Sequence, residues 1–251
     1  MATSTEASRW VRCFHPAPLS RGQLLCFPHA GGSASFYFPL SAQLFSVAEV
    51  FAVQYPGRQD RREEAAPRDI GVMADRIYAA VRGRLGARPT TFFGHSMGAV
   101  LAFEVARRFE ADGGELSRVF ASGRRAPSRV REENVHLRTD DGIVAELKSM
   151  SGTDAALLGD EEILRMILPA LRSDYEAIET YRCEPGATLR APISAFTGDS
   201  DPKTSLEEAE EWREHTTGAF DLKVFPGGHF YLGPQAPAVT AALREHLASV
   251  A

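Results

Sequence analysis

The stretch Phe92-Phe93-Gly94-His95-Ser96-Met97-Gly98-Ala99-Val100 is an apolar run that meets Gly-x-Ser-x-Gly and continues in helix-forming residues. It predicts a strand, a very tight turn and a helix. A serine at the top of such a turn is pushed out of the sheet. Glycine is required at 94 and 98, because side chains there would strike the neighbouring strand or helix. The five-residue pattern alone occurs often by chance; the strand and helix patterns around it give it meaning.

The rest of the chain supplies that context. Gln23 to Phe27 is a short apolar run that stops at Pro28-His29-Ala30-Gly31-Gly32, and Phe36, Tyr37, Phe38, Leu40, Leu44 and Phe45 then predict a largely buried helix. Val50 to Tyr55 is β-prone and leads through Pro56-Gly57 into the charged segment Arg58 to Arg68, read as an exposed loop. Ile70, Met73, Ile77, Ala80 and Val81 recur at helical spacing. Val119 to Ser122 predicts another buried strand. This alternation argues for right-handed βαβ units and a mainly parallel sheet covered on both faces.

From Gly123 to Leu189 the alternation breaks. Ile143, Val144, Leu147 and Met150 form one apolar stripe, and Ile163, Ile167, Leu171 and Ile178 form a second, with Pro169 predicting a bend or break near 165–169. The segment reads as a helical cap inserted into the sheet order. Strands return at Ile193 to Phe196 and at Leu222 to Phe225, and a last helix is predicted from Pro237 to Leu247.

At 251 residues, 44% hydrophobic and 24% charged, the chain fits one α/β domain spanning 1–251. A net charge of -5 gives no attraction for nucleic acid or an anionic membrane. Three widely spaced cysteines, Cys13, Cys26 and Cys183, suit neither a disulfide framework nor a zinc site. Met1 to Ser8 is polar and lacks a secretory core, and no run approaches the ~20 apolar residues needed to span a bilayer. A soluble, cytoplasmic protein with a frayed start is expected, monomeric because no segment demands a partner.

Three residues sit at the carboxyl ends of predicted strands, where open α/β sheets place their ligands: Ser96, Asp201 and His229. A serine hydroxyl needs an imidazole to take its proton, and the imidazole needs a carboxylate to fix its tautomer. The order Ser, Asp, His is the α/β-hydrolase order. Asp199 is a rival carboxylate; Asp201 is favoured because it lies further beyond the strand end, although it can also be read as the cap of the helix beginning near Thr204. His229, after Gly227-Gly228, has the bland reading of a structural histidine. His95 is read as packing, and His15, His136, His215 and His246 as solvated or structural. The oxyanion donors are backbone amides: Met97, which follows the nucleophile, and Ala30, whose neighbours Gly31-Gly32 let the backbone come close to substrate.

With Phe27-Pro28-His29-Ala30-Gly31-Gly32, Gln54-Tyr55-Pro56-Gly57-Arg58, Gly94-His95-Ser96-Met97-Gly98, Gly198-Asp199-Ser200-Asp201 and Gly227-Gly228-His229-Phe230 in this order, the chain resembles the type II thioesterases. These are stand-alone α/β-hydrolases serving polyketide and non-ribosomal peptide synthases. The resemblance implies an α/β-hydrolase fold: a mainly parallel central sheet flanked by helices, with a helical lid, here 123–189, inserted after the sixth strand. It implies hydrolysis of acyl thioesters on the phosphopantetheine arm of acyl or peptidyl carrier proteins, as editing, with no metal and no cofactor of the enzyme's own. Arg58, Arg61, Arg62, Arg124, Arg125, Arg129 and Arg131 are candidates to meet the arm's phosphate or an acidic carrier surface, against the plainer reading of a solvated face. The alternatives are a medium-chain fatty acyl carrier-protein thioesterase, a carboxylesterase, and a non-catalytic protein of this fold that binds carriers.

Overall fold

A computed structural model describes residues 9–150 and 161–250; the polar start at Met1 to Ser8 and part of the expected cap lie outside them. Its strands are β1 (Val11–Arg12), β2 (Gly22–Phe27), β3 (Ala48–Val53), β4 (Thr90–His95), β5 (Arg118–Ser122), β6 (Ile193–Gly198) and β7 (Phe220–Phe225). Every residue of β2, β4 and β6 is buried, as continuous apolar strands should be when helices cover both faces. The sheet order is β1-β3-β2-β4-β5-β6-β7, parallel except for β1, which runs antiparallel to β3.

That order contains a reversal. The chain passes from β2 outward to β3, then crosses back over β2 to β4, so β2 and β4 are neighbours whose following loops leave in different directions. Phe27 pairs with Gly94 at their carboxyl ends, which sets the glycine loop beside Ser96. A crevice opens at such a point.

On one face pack α2 (Ile70–Val81) and α3 (Met97–Ala111), and the predicted stripe Ile70, Met73, Ile77, Ala80 and Val81 is wholly buried. Asp69 caps α2 by accepting from the Val72 amide at 2.8 Å. The other face carries α1 (Phe38–Leu44) and α7 (Ala236–Ser249). The helix expected to be largely buried near residue 40 is only half so. Tyr37 and Leu44 are inside, while Phe36, Phe38 and Phe45 are exposed. The segment after Gly57 also departs from expectation, because Arg58 and Arg61 are buried rather than in an exposed loop.

Between β5 and β6 lies the helical insertion, with a 3-10 turn at Val135–Leu137, α4 (Asp140–Ser149) and α5 (Glu161–Thr180). In this chain's own count it follows the fifth strand rather than the sixth, because among the described residues only β1 precedes β2. Its core is separate from those of the sheet: Val135, Ile143, Val144, Leu147, Met150, Leu168, Leu171 and Tyr175, with Ala30 and Phe230 against it. Of the bend or break predicted near 165–169, the break is absent, since α5 runs through Pro169. Pro169 is on the exposed side, where a carbonyl that loses its amide partner can turn to water. The small helix α6 (Leu206–Glu210) follows β6.

Candidate active site

Ser96 is the single residue between β4 and α3, at φ 55 and ψ -120. For a residue with a side chain this is a strained conformation, and it persists only where the surroundings dictate it. Here the Ser96 amide donates to the Ser122 carbonyl at 2.8 Å, and the Ser96 carbonyl accepts from Ala99 at 3.0 Å. A Cβ on Gly94 would lie 2.1 Å from the Gly98 oxygen, and one on Gly98 would lie 2.0 Å from the Phe27 oxygen. Both glycines are therefore obligatory, for the reason expected from the motif.

His229, in the loop after β7, reaches the serine. Its Nδ1 is 2.9 Å from Oδ2 and 3.1 Å from Oδ1 of Asp201. An ionised carboxylate only accepts, so Nδ1 carries the proton and Nε2 is free to accept from the Ser96 hydroxyl, 3.0 Å away. The carboxylate of Asp201 is fully buried and His229 is 3% exposed, so little water competes for these bonds. Asp201 also accepts from the Lys203 amide at 2.8 Å, which fixes its plane. It caps no helix: Ser205 and Glu208 form the capping box of α6. The rival Asp199 instead accepts from the Gly227 amide at 3.0 Å and so holds the loop that carries His229.

Two further histidines surround the triad. His95 is buried; its ring lies 5.2 Å from that of His229, and its Nδ1 is 2.9 Å from the Ser122 hydroxyl, itself 2.5 Å from the Tyr231 hydroxyl. Burial pushes its pKa well below the ordinary value, aided by His229 and His29. His29 stands edge-on to Phe36 and Phe230, and burial, then His229 and Arg58, lower its pKa to about 3. Both stay neutral at physiological pH and add no charge beside the imidazole that must become one.

The glycine loop is tied down by Gln54-Tyr55-Pro56-Gly57-Arg58. Gln54 accepts from the Ala34 amide at 2.9 Å, Tyr55 donates to the Pro28 carbonyl at 3.0 Å, and Arg58 donates to the Gly32 carbonyl at 3.1 Å. Arg58 is also paired with Asp174 of α5, a residue that sequence reasoning missed. One signal pointed to it: a carboxylate at helical spacing among Leu171, Tyr175 and Ile178, on a face that should have been apolar.

Above Ser96 lies a cavity of about 510 Å³. Its floor includes His29, Ala30, Ser96, Met97 and His229, and its roof includes Leu147, Met150, Ile163, Met166, Ile167 and Leu171. The amide-bearing residues Ala30 and Met97 thus line the same space as the serine. The arginine group is largely accounted for otherwise. Arg61 pairs with Glu64, Arg125 with Glu133, Arg129 with Glu211 and Arg131 with Glu208. Arg62 and Arg124 line the cavity; Arg62 pairs with exposed Glu63, and Arg124 makes no ion pair among the described residues. Burial, and next Arg125, pull the pKa of Arg124 down to about 9. Among the described residues there is no cluster of three or more His, Cys, Asp or Glu that could hold a metal, and no helix long and apolar enough to cross a membrane.

A strained serine at a strand-helix turn, bonded to a histidine bonded to an aspartate, is the apparatus of acyl transfer to serine. The model of the thioesterase domain matches residues 22–247. The chain belongs to the thioesterase family. It is 56% identical over 96% of its length to a probable cadicidin biosynthesis thioesterase of Streptomyces griseus, of which it spans 66%. It is 46% identical to the thioesterase PikA5 of Streptomyces venezuelae, covering 97% of this chain and 87% of that one. Among solved structures, the type II thioesterase BorB of the borrelidin cluster superposes with a TM-score of 0.90 at 51% identity, covering 95% of this chain and 97% of BorB. RedJ, of the prodiginine pathway in Streptomyces coelicolor, superposes at 0.86 and 34% identity, covering 92% and 87%. The thioesterase is a serine hydrolase, and its resemblance to the type II group is borne out, as is the α/β-hydrolase fold.

Proposed function

We propose that this thioesterase hydrolyses acyl groups held on the phosphopantetheine arm of acyl or peptidyl carrier proteins, clearing aberrant or stalled units from a polyketide or non-ribosomal peptide synthase. The observation that carries this reading is the chain of bonds from Ser96 through His229 to Asp201 at the floor of an apolar-roofed cavity, in a chain 51% identical to a type II thioesterase. His229 Nε2 takes the proton of Ser96 as Oγ attacks the thioester carbonyl, and Asp201 steadies the imidazolium. The amides of Ala30 and Met97 take the oxyanion.

Collapse of the tetrahedral adduct breaks the carbon-sulfur bond, the departing sulfur takes the proton held by His229, and the imidazole is neutral again. A thiol with an ordinary pKa near ~8.5 leaves far more readily than an amine, so general-acid help from His229 matters less in this half. His229 then takes a proton from water, the hydroxide equivalent attacks the acyl-serine ester, and the proton returns to Ser96 as the acid departs. The reaction draws on no resident metal or cofactor, since the arm belongs to the carrier. The enzyme acts as a cytoplasmic monomer, and the insertion serves as a lid over the acyl chain. Among the described residues three arginines line the cavity; Arg58 is committed to Asp174, and Arg62 and Arg124 are the candidates to meet an anion of the incoming substrate.

Incubating the wild type and Ser96→Ala with acyl-phosphopantetheinyl carrier protein and weighing the carrier tests the mechanism. The wild type should release the acyl group and the variant should not; equal loss from both would sink it. Matched thioester and oxygen-ester substrates with one acyl group separate this reading from a carboxylesterase, which would favour the oxygen ester.

A further inference from the structure

Asp174 lies on α5, two helical turns beyond Ile167, and its side chain is fully buried. Its Oδ2 accepts the Gly31 amide at 2.8 Å and Arg58 Nη1 at 2.7 Å, and its Oδ1 accepts Arg58 Nη2 at 2.9 Å. Arg58, 7% exposed, gives the same Nη1 to the Gly32 carbonyl and its Nε to the Pro56 carbonyl. One carboxylate therefore holds the amide directly after Ala30 and, through Arg58, the carbonyl one residue further on. Gly31 sits at φ +74, and Leu171 closes on it so that a Cβ would meet Cδ1 at 2.8 Å.

A buried ion pair is a poor device for stability, because desolvating both ions offsets most of their attraction, and well-packed apolar residues do as well or better. Its use lies in geometry, since a planar fork on a carboxylate accepts little displacement. Here the geometry fixed is that of residues 30–32. With the Gly31 amide committed to Asp174, the peptide that joins Ala30 to Gly31 is held in one plane.

We infer that Asp174 is a positioning residue for the hydrolysis: from the helical insertion it orients the Ala30 amide toward the oxyanion by clamping Gly31 and Arg58. This rests on Ala30 being an oxyanion donor. The clamp ties the Asp174 turn of α5 to the glycine loop, so displacement of that turn would misplace the Ala30 amide.

The test uses Asp174→Asn and, since that variant leaves Arg58 buried without its partner, the double variant Arg58→Met with Asp174→Leu. In folded protein, kcat on an acyl thioester should fall about 10- to 100-fold with KM within about threefold, the size of effect that a misplaced oxyanion donor produces. Affinity for an acyl trifluoromethyl ketone, whose serine adduct carries an oxyanion, should fall by the same factor. Affinity for a thioether analogue without a carbonyl should stay unchanged. A folded double variant with wild-type kcat and wild-type ketone affinity overturns the inference, as does a rise in KM alone. If neither variant folds, the ¹⁵N-labelled wild type decides: the Gly31 amide proton should be downfield and protected from exchange, and exchange at open-loop rates overturns the clamp. Failure of the mechanism itself would show separately, as hydrolysis by Ser96→Ala.

Discussion

At the sheet edge, position is set by backbone. Gly94, Gly98 and the Phe27 carbonyl touch at distances that admit no side chain, and the Ser96 amide is bonded to the next strand. In the helical insertion, position is set by side chains: among the described residues, eight buried residues of its own core and one ion pair, Arg58 to Asp174, running down to the glycine loop. Contacts between backbones cannot be traded without unfolding the strand, whereas side-chain packing can loosen by degrees. The proposed reacting groups thus belong to the rigid part, and the cavity roof to the part that can yield.

The hardest blow to this division falls at the sheet edge. Asp201→Asn should lower kcat about 10³- to 10⁴-fold, because an amide in place of the carboxylate misorients His229 and fails to steady its charge. Asp199→Asn keeps an oxygen for the Gly227 amide and should lose less than about tenfold. Steady-state rates of the two variants on one thioester check this, and comparable losses from both would mean that the carboxylate is shared.

Next in size is a cut in the insertion's core. Leu171→Ala empties a 2%-exposed site and should destabilise the protein by about 2–4 kcal/mol. Hydrogen exchange should show the loss in α5 first, with β2 and β4 protected as before. If the sheet loosens in step, the two regions are one cooperative unit and the division is wrong.

Much of the sheet edge was legible in the sequence. Ser96, Asp201 and His229 each follow an apolar run that ends in a turn motif, and local spacing carries that information. Asp201 was separable from Asp199 by reach alone. Arg58 was not legible, because its burial depends on Asp174, 116 residues away, and a charge whose partner is remote reads as solvated. The aromatic run at 36–45 reads as core for a related reason: Phe36 lines the cavity, and a cavity wall shares the composition of a core, whereas Phe38 sits at the surface beside Phe14 and His15. Pro169 predicts a bend or break, and the exposed side of α5 takes the proline without a break.

A smaller effect is electrostatic. His29 has its pKa lowered to about 3 by burial, so between that value and the unfolded 6.5 the unfolded chain binds a proton that the folded chain refuses. Stability from this group is whole above about pH 6.5 and drains as pH falls toward 3, by about 1–2 kcal/mol at pH 5. Glu133, held to about 2 by Lys203 and Arg125 against the opposing effect of burial, adds its loss lower down, from about 4.5 toward 2. His29→Gln should lessen the slope of the denaturation midpoint against pH between 6.5 and 5, with a remainder from His95, His215 and His246, whose pKa values burial also lowers, and should leave the steeper acid limb. An unchanged slope would mean that the ring accepts a proton in the folded state.

The smallest change should be the most informative about the roof. Met166 lines the cavity from α5 yet is 56% exposed, so Met166→Ala should alter folding stability by no more than about 0.5 kcal/mol. Its thioether chain becomes buried only when an acyl chain lies against it, and each methylene so covered is worth about 0.8 kcal/mol. For a medium-length acyl thioester KM should rise about three- to tenfold, with kcat unchanged, whereas for acetyl thioester neither constant should move. A loss that is equal for both acyl lengths would place the chain elsewhere and would make Met166 part of the catalytic frame. Variants at Ser96 or Asp201 must lower kcat at every acyl length, so the two profiles, flat for the edge and sloping for the roof, are the direct measure of how separate the regions are.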